Sequence, residues 1–236
     1  MNTKNQLLCA WSGIVFLLMF ILGWWVIAGY IPPPSPTADS AEIAGFYKQD
    51  TTLVRFGLDL VIASCIFFPP WLAVISAQMK RIEGGFPVFA YAQLVSGTAA
   101  MMIFILPVMI WMVASFRPER NPELQLLISD FGWLWLTMTY APFVAQNLSI
   151  GLVIVTDKRE RPVFPRWAGY FNLWTAASFL PASLVVFFKT GPFAWNGIIA
   201  FWVPLVVFAI WLVVMFALLL RAIGEQKKEG PSASGL

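Results

Sequence analysis

Arg55 and Asp59 stand four residues apart within an apolar stretch. On a helix this spacing puts both side chains on one face, where the guanidinium and carboxylate can pair. Asp59 would lie about 9 Å into a span that opens at Leu53. An ionisable group at that depth is costly and normally faces protein or water, so it marks a functional candidate. The competing reading is a self-neutralised pair near the interface, with Arg55 reaching for the headgroups. Asp130 is a second carboxylate expected at the same end of the chain's spans. Brought near Asp59, it would make an acidic mouth able to attract cations, relay protons or do general acid–base work. The sequence carries no recognisable nucleophile–base set beside these acids.

A second group of candidates is uncharged. Gln146 and Asn147 are adjacent, and Thr137, Thr139, Tyr140 and Ser149 share their apolar stretch. Asn172, Thr175 and Ser178 recur every three residues further on, and Gln93, Ser96 and Thr98 sit in an earlier stretch. In hydrocarbon such groups need partners. Ordinary interhelical hydrogen bonds would satisfy them, at about 0.6 kcal/mol each. The functional alternative is a polar cavity between spans. Arg55, Asp59, Asp130, Gln146, Asn147 and Asn172 are therefore the expected ligand-binding residues.

What is missing narrows the chemistry. The chain has no histidine, so imidazole proton relays and histidine-ligated haem, iron, copper or zinc are excluded. Its two cysteines, Cys9 and Cys65, lie in apolar stretches and form no metal-binding motif. No cofactor or metal is expected. The net charge is only +3, and no basic patch suits nucleic acid.

The elements that must position these residues follow from composition. Hydrophobic residues make up 59% of the 236-residue chain and charged residues 11%, with a mean hydropathy of +0.76. Soluble domains are nearer 45–50% apolar and about 25% charged, so the expected solvent is a lipid bilayer. Apolar runs predict spans at about 7–30, 53–79, 87–114, 131–155, 167–188 and 195–221, each near the ~20 residues needed to cross. Trp24, Trp25, Tyr30, Trp167 and Tyr170 supply interfacial aromatics at span ends. Of fifteen lysines and arginines, ten fall at the end holding both termini and five at the other. Positive residues favour the cytoplasm, so both termini are expected there. The first run is longer than a signal peptide's apolar region and is read as a span.

Between spans one and two, residues 31–52 open on Pro32, Pro33, Pro34 and Pro36 and continue through Asp39-Ser40-Ala41-Glu42. The prolines favour an extended backbone. The Asp–x–x–Glu spacing predicts a capped helix, and Ile43, Phe46 and Tyr47 give it an apolar face. This helix could be a lid over a cavity or a simple cap on the bundle. Asn121-Pro122-Glu123 predicts a second helix start that runs on into span four. Prolines at 69, 70, 107, 142, 181 and 204 interrupt five of the six spans, and each removes a backbone donor and favours a kink. Residues 224–236 are expected to be a disordered cytoplasmic tail after a six-span domain covering residues 1–223.

Two stretches, Pro165-Arg166-Trp167-Ala168-Gly169-Tyr170 and Gly191 to Gly197, resemble segments of bacterial multi-span integral membrane proteins with no assigned activity. The resemblance implies an inner-membrane setting and brings no catalytic residue. The expected fold is all-α: a polytopic transmembrane helix bundle of six spans. The expected function is non-enzymatic, the binding or transport of a small lipophilic molecule or ion through a polar cavity between spans two to five. One alternative is an accessory or anchoring subunit that docks a membrane partner or a second copy. Another is a carboxylate-dependent enzyme acting on a lipid.

Overall fold

A computed structural model describes residues 2–229, and the regular structure among them is helical. Six helical segments are long and apolar enough to cross a membrane: Thr3–Ile27, Thr51–Glu83, Val88–Phe116, Pro122–Thr156, Arg166–Phe187 and Ile198–Glu229. They are called spans one to six below. Their outward faces are apolar; Leu8, Ile66 and Phe187 present 71%, 71% and 74% of their surface. Water would penalise such a surface heavily and lipid would not. The six helices are thus compatible with a multi-pass membrane protein.

Both termini lie at one end of the bundle, and a polar knot ties that end together. Gln78 of span two, fully buried, donates to Gln6 Oε1 of span one (2.6 Å) and to Gln226 Oε1 of span six (2.9 Å). Arg81 donates to Gln78 Oε1 and pairs with Glu229 at 2.8 Å. Arg159, in the loop after span four, donates to the Arg81 carbonyl. That loop is pinned by Asp157, whose side chain is 2% exposed and pairs with Arg159 at 2.8 Å. Burial of the Asp157 carboxyl works to raise its pKa. Hydrogen bonds from the Arg159 side chain and backbone and from the Val163 amide outweigh burial and hold it below the usual range.

This knot corrects one expectation. The last helix continues through Gly224 to Glu229 because Gln226 and Glu229 both meet partners on span two, Gln78 and Arg81. Only residues 230–236 of the expected tail lie outside the described residues.

The opposite end is roofed by the short helix Ser40–Gln49. Asp39 caps it as expected, its Oδ1 accepting from the Glu42 amide at 2.8 Å. Its apolar face, Ile43, Ala44 and Tyr47, is buried on the bundle. Tyr47 lies within hydrogen-bond range of the Tyr30 hydroxyl, at 3.3 Å. The proline run is anchored by the Trp195 indole donating to the Pro34 carbonyl at 2.9 Å. Asn121 caps the helix that becomes span four, as its sequence predicts.

Candidate functional site

Every span departs from regular α-helix once, and the departures converge on one hollow. Span one widens its last stretch, Leu22–Ile27, into a π turn. Span two passes through a 3₁₀ turn at Cys65–Phe67. Span three breaks between Ala100 and Met102, and span four between Met138 and Ala141. Span five becomes 3₁₀ at Leu180–Phe187, and span six opens with a π turn at Ile198–Trp202. Prolines account for much of this. Pro142, Pro181 and Pro204 sit at or beside the breaks, and a proline has no amide proton for the carbonyl four residues earlier. Span one has no proline at its π turn. There the backbones of Gly23 and Gly57 meet; a Cβ on Gly23 would stand 2.6 Å from the Gly57 oxygen.

The hollow measures about 80 Å³. Its wall takes Trp24 from span one, Phe68 from span two, Ala100 and Phe104 from span three, Thr137, Tyr140 and Phe143 from span four, Phe179 and Ala182 from span five, and Phe201 and Pro204 from span six. The Thr137 hydroxyl is spent on the Trp133 carbonyl of its own helix, so the wall is almost wholly apolar. Wall residues from spans one to three are buried, whereas Leu136, Tyr140, Phe179 and Leu205 are half-buried. The hollow therefore leans toward the lipid-facing side of spans four, five and six.

A polar seam begins one turn away, toward the end that carries the termini. Ala100, Phe143 and Phe179 line the hollow; Gly97, Gln146 and Thr175 are the residues three or four positions beyond them, about 4.5–6 Å along each axis. Gln93, Gln146, Asn147, Asn172 and Thr175 are all 0% exposed. Span three approaches span four closely at Gly97, where a Cβ would stand 2.6 Å from Leu72 and 3.1 Å from the Gln146 Cδ. Spans four and five cross at Gly151 and Gly169, each Cα bearing on the other's carbonyl. Four residues outward from that crossing, Asn147 comes level with residue 173, between Asn172 and Thr175.

Most of these polar groups have no partner. Among the described residues, both side-chain polar atoms of Gln93 and of Gln146, Asn147 Oδ1 and Thr175 Oγ1 lack a hydrogen bond. Asn147 Nδ2 donates to the Phe143 carbonyl at 3.0 Å, which fixes the amide's orientation and leaves the oxygen free. Asn172 is satisfied: it donates to the Ala168 carbonyl and accepts from the Trp211 indole at 2.9 Å. Buried polar groups are paired in the large majority of cases, so this many open valences in one seam is unusual.

The expected site residues fall into three separate places. Gln146, Asn147 and Asn172 join the seam. Arg55 and Asp59 instead share a shallow groove with Phe56, Met112 and Phe116 on the outward face of spans two and three. The expected pair between them does not form. Arg55 donates to the Ser115 carbonyl (2.7 and 3.0 Å) and the Phe116 carbonyl (3.1 Å). Those are open acceptors at the C-terminal end of span three, where a cation is favoured. Asp130 is half-buried two turns into the helix that begins at Pro122, with Lys189 the cation that acts on it.

A second hollow, about 340 Å³, lies under the short helix and is lined by Tyr30, Pro33, Glu42, Phe46, Tyr47 and Trp133 among others. Tilted aromatic rings stand between it and the apolar hollow: Tyr30 against Trp111 (centroids 4.5 Å apart), Trp111 against Trp133 (4.8 Å) and Trp24 against Trp133 (6.1 Å). Burial raises the pKa of both tyrosines there, Tyr47 to about 12.

Among the described residues no cluster of three or more acidic or cysteine side chains could hold a metal ion. In comparisons with protein-family models, curated proteins and solved structures, none matches the chain.

Proposed function

We propose that this chain is a membrane protein that holds a small lipophilic molecule in the hollow where its six spans break. The carrying observation is the convergence itself: six helical irregularities meet around one apolar space. Irregular backbone weakens a helix locally, and membrane proteins concentrate it where a cavity or site requires it. The apolar wall favours a lipophilic molecule over an ion. The half-buried wall of spans four to six suits exchange with the bilayer from the side. The ten-to-five bias of basic residues supports cytoplasmic termini, and with them a plasma-membrane setting. The anchoring-subunit reading draws less support, because the short helix that would dock a partner spends its apolar face on its own bundle.

Native mass spectrometry of the gently purified protein tests this. Wild type should retain a discrete bound mass that Ala100→Phe, which fills the hollow, loses. The same adducts in both proteins would refute the reading.

A further inference from the structure

The seam begins one turn from the hollow on spans three, four and five, and its open valences have a definite character. Donors remain on the Gln93 and Gln146 amides and the Thr175 hydroxyl; acceptors remain on both glutamines, on Asn147 and on Thr175. Each of these side chains is fully buried. No charged side chain belongs to the set. An ionised head lodged here would lack a counter-charge in a low-dielectric interior, which disfavours it strongly.

We infer that the hollow and the seam form one site for an uncharged amphiphile, with its apolar body in the hollow and a hydroxyl head at Gln146 and Asn147. This inference rests on the proposed lipophile-binding function and specifies its ligand. A hydroxyl both donates and accepts. Its proton meets Asn147 Oδ1, which a ketone or ester, having no donor, cannot satisfy, and its oxygen accepts from the Gln146 amide. Gln93 and Thr175 stand in the same seam to receive a head that sits deeper. Pairing of Gln93 with Gln146 by side-chain rotation would close part of the seam, yet it would leave Asn147 Oδ1 and Thr175 unserved.

The test uses tryptophan quenching in the full chain, because Trp24 forms part of the wall. Three bromine-tailed probes are titrated: 12-bromododecan-1-ol, 1-bromododecane and 12-bromododecanoate. The alcohol should saturate at a concentration about tenfold below the hydrocarbon, the gain of two net hydrogen bonds, and the carboxylate should bind worst. Gln146→Leu with Asn147→Leu should erase the alcohol's advantage and leave the hydrocarbon unchanged. Asn147→Leu alone, which should cost the alcohol about threefold, is the milder check should the double variant misfold. An alcohol no tighter than the hydrocarbon, or an advantage that survives the double variant, would overturn the hydroxyl head. Saturable hydrocarbon quenching that Ala100→Phe abolishes would still uphold the hollow in that case. Absence of saturable quenching by every probe would overturn both.

Discussion

Two sets of buried glutamines in this bundle behave in opposite ways. At the end with the termini, Gln78 is as inaccessible as Gln146, yet it donates to Gln6 and Gln226 and accepts from Arg81. Halfway along the bundle, Gln93 and Gln146 have no partners at all. The comparison teaches that this fold can satisfy a buried amide where only structure is at stake. The knot recruits spans one, two and six and gives both polar atoms of the Gln78 side chain a partner. The seam lies beside an apolar hollow, between helices brought close by Gly97, Gly151 and Gly169, and stays open. The two glutamines match in burial and residue type; the neighbouring space is what differs, charged beside the knot, where Arg81, Arg221, Glu225 and Glu229 line it, and apolar beside the seam.

Substitutions should separate the two. The largest effect belongs to the knot: Gln78→Ala removes the hydrogen bonds that Gln78 makes to Gln6 and Gln226 and accepts from Arg81, and should destabilise the protein by about 2–3 kcal/mol. It should also melt the end of the last helix, read by thermal denaturation and by faster amide exchange at 222–229. In the seam the sign should reverse. Gln146→Leu removes open polar atoms at similar volume and should raise stability of the ligand-free protein by roughly 1 kcal/mol. A loss of similar size would mean that the seam is satisfied and that the contrast is false.

Much of this architecture was legible in the chain. Six apolar runs gave six spans, because about twenty apolar residues have few other uses. Prolines marked the irregular spans, and Asp39 and Asn121 marked two helix starts. The hollow was not legible. That six breaks meet at one depth is a tertiary fact, and span one contributes a π turn with no proline to signal it. Within the site, Gln146 and Asn147 stood out as amides in an apolar run. Gln93 and Thr175 were visible too, but only the fold shows them unpartnered. Charge drew attention to Arg55 and Asp59 because four-residue spacing predicts a local pair. The actual partner of Arg55 is the end of span three, sixty residues on, which spacing cannot reveal.

The second hollow extends the comparison to pH. Tyr30 and Tyr47 fold as neutral phenols, and burial pushes Tyr47 from 10.0 up to about 12. The unfolded chain would ionise near pH 10. Stability from this pair is therefore complete below pH 10 and lost as pH rises toward 12. The short helix should loosen over that window, seen as a late tyrosinate absorbance step that Tyr47→Phe reduces. No acidic, basic or cysteine side chain lines the apolar hollow, so quenching by the alcohol should be flat from pH 6 to pH 9.

The smallest effect is expected in the outward groove. Arg55→Ala should cost at most about 0.5 kcal/mol by uncapping span three. Asp59→Asn should change neither melting temperature nor retained ligand mass. A clear loss of ligand in Asp59→Asn would move the site from the hollow to the groove.

The most direct measurement is an electron cryomicroscopy map of the wild-type protein in a lipid nanodisc. It should show elongated density in the hollow between Trp24, Phe104, Phe143 and Phe201, ending against Gln146 and Asn147. A hollow closed by its own side chains, with Gln93 and Gln146 bonded to each other, would contradict the proposed site.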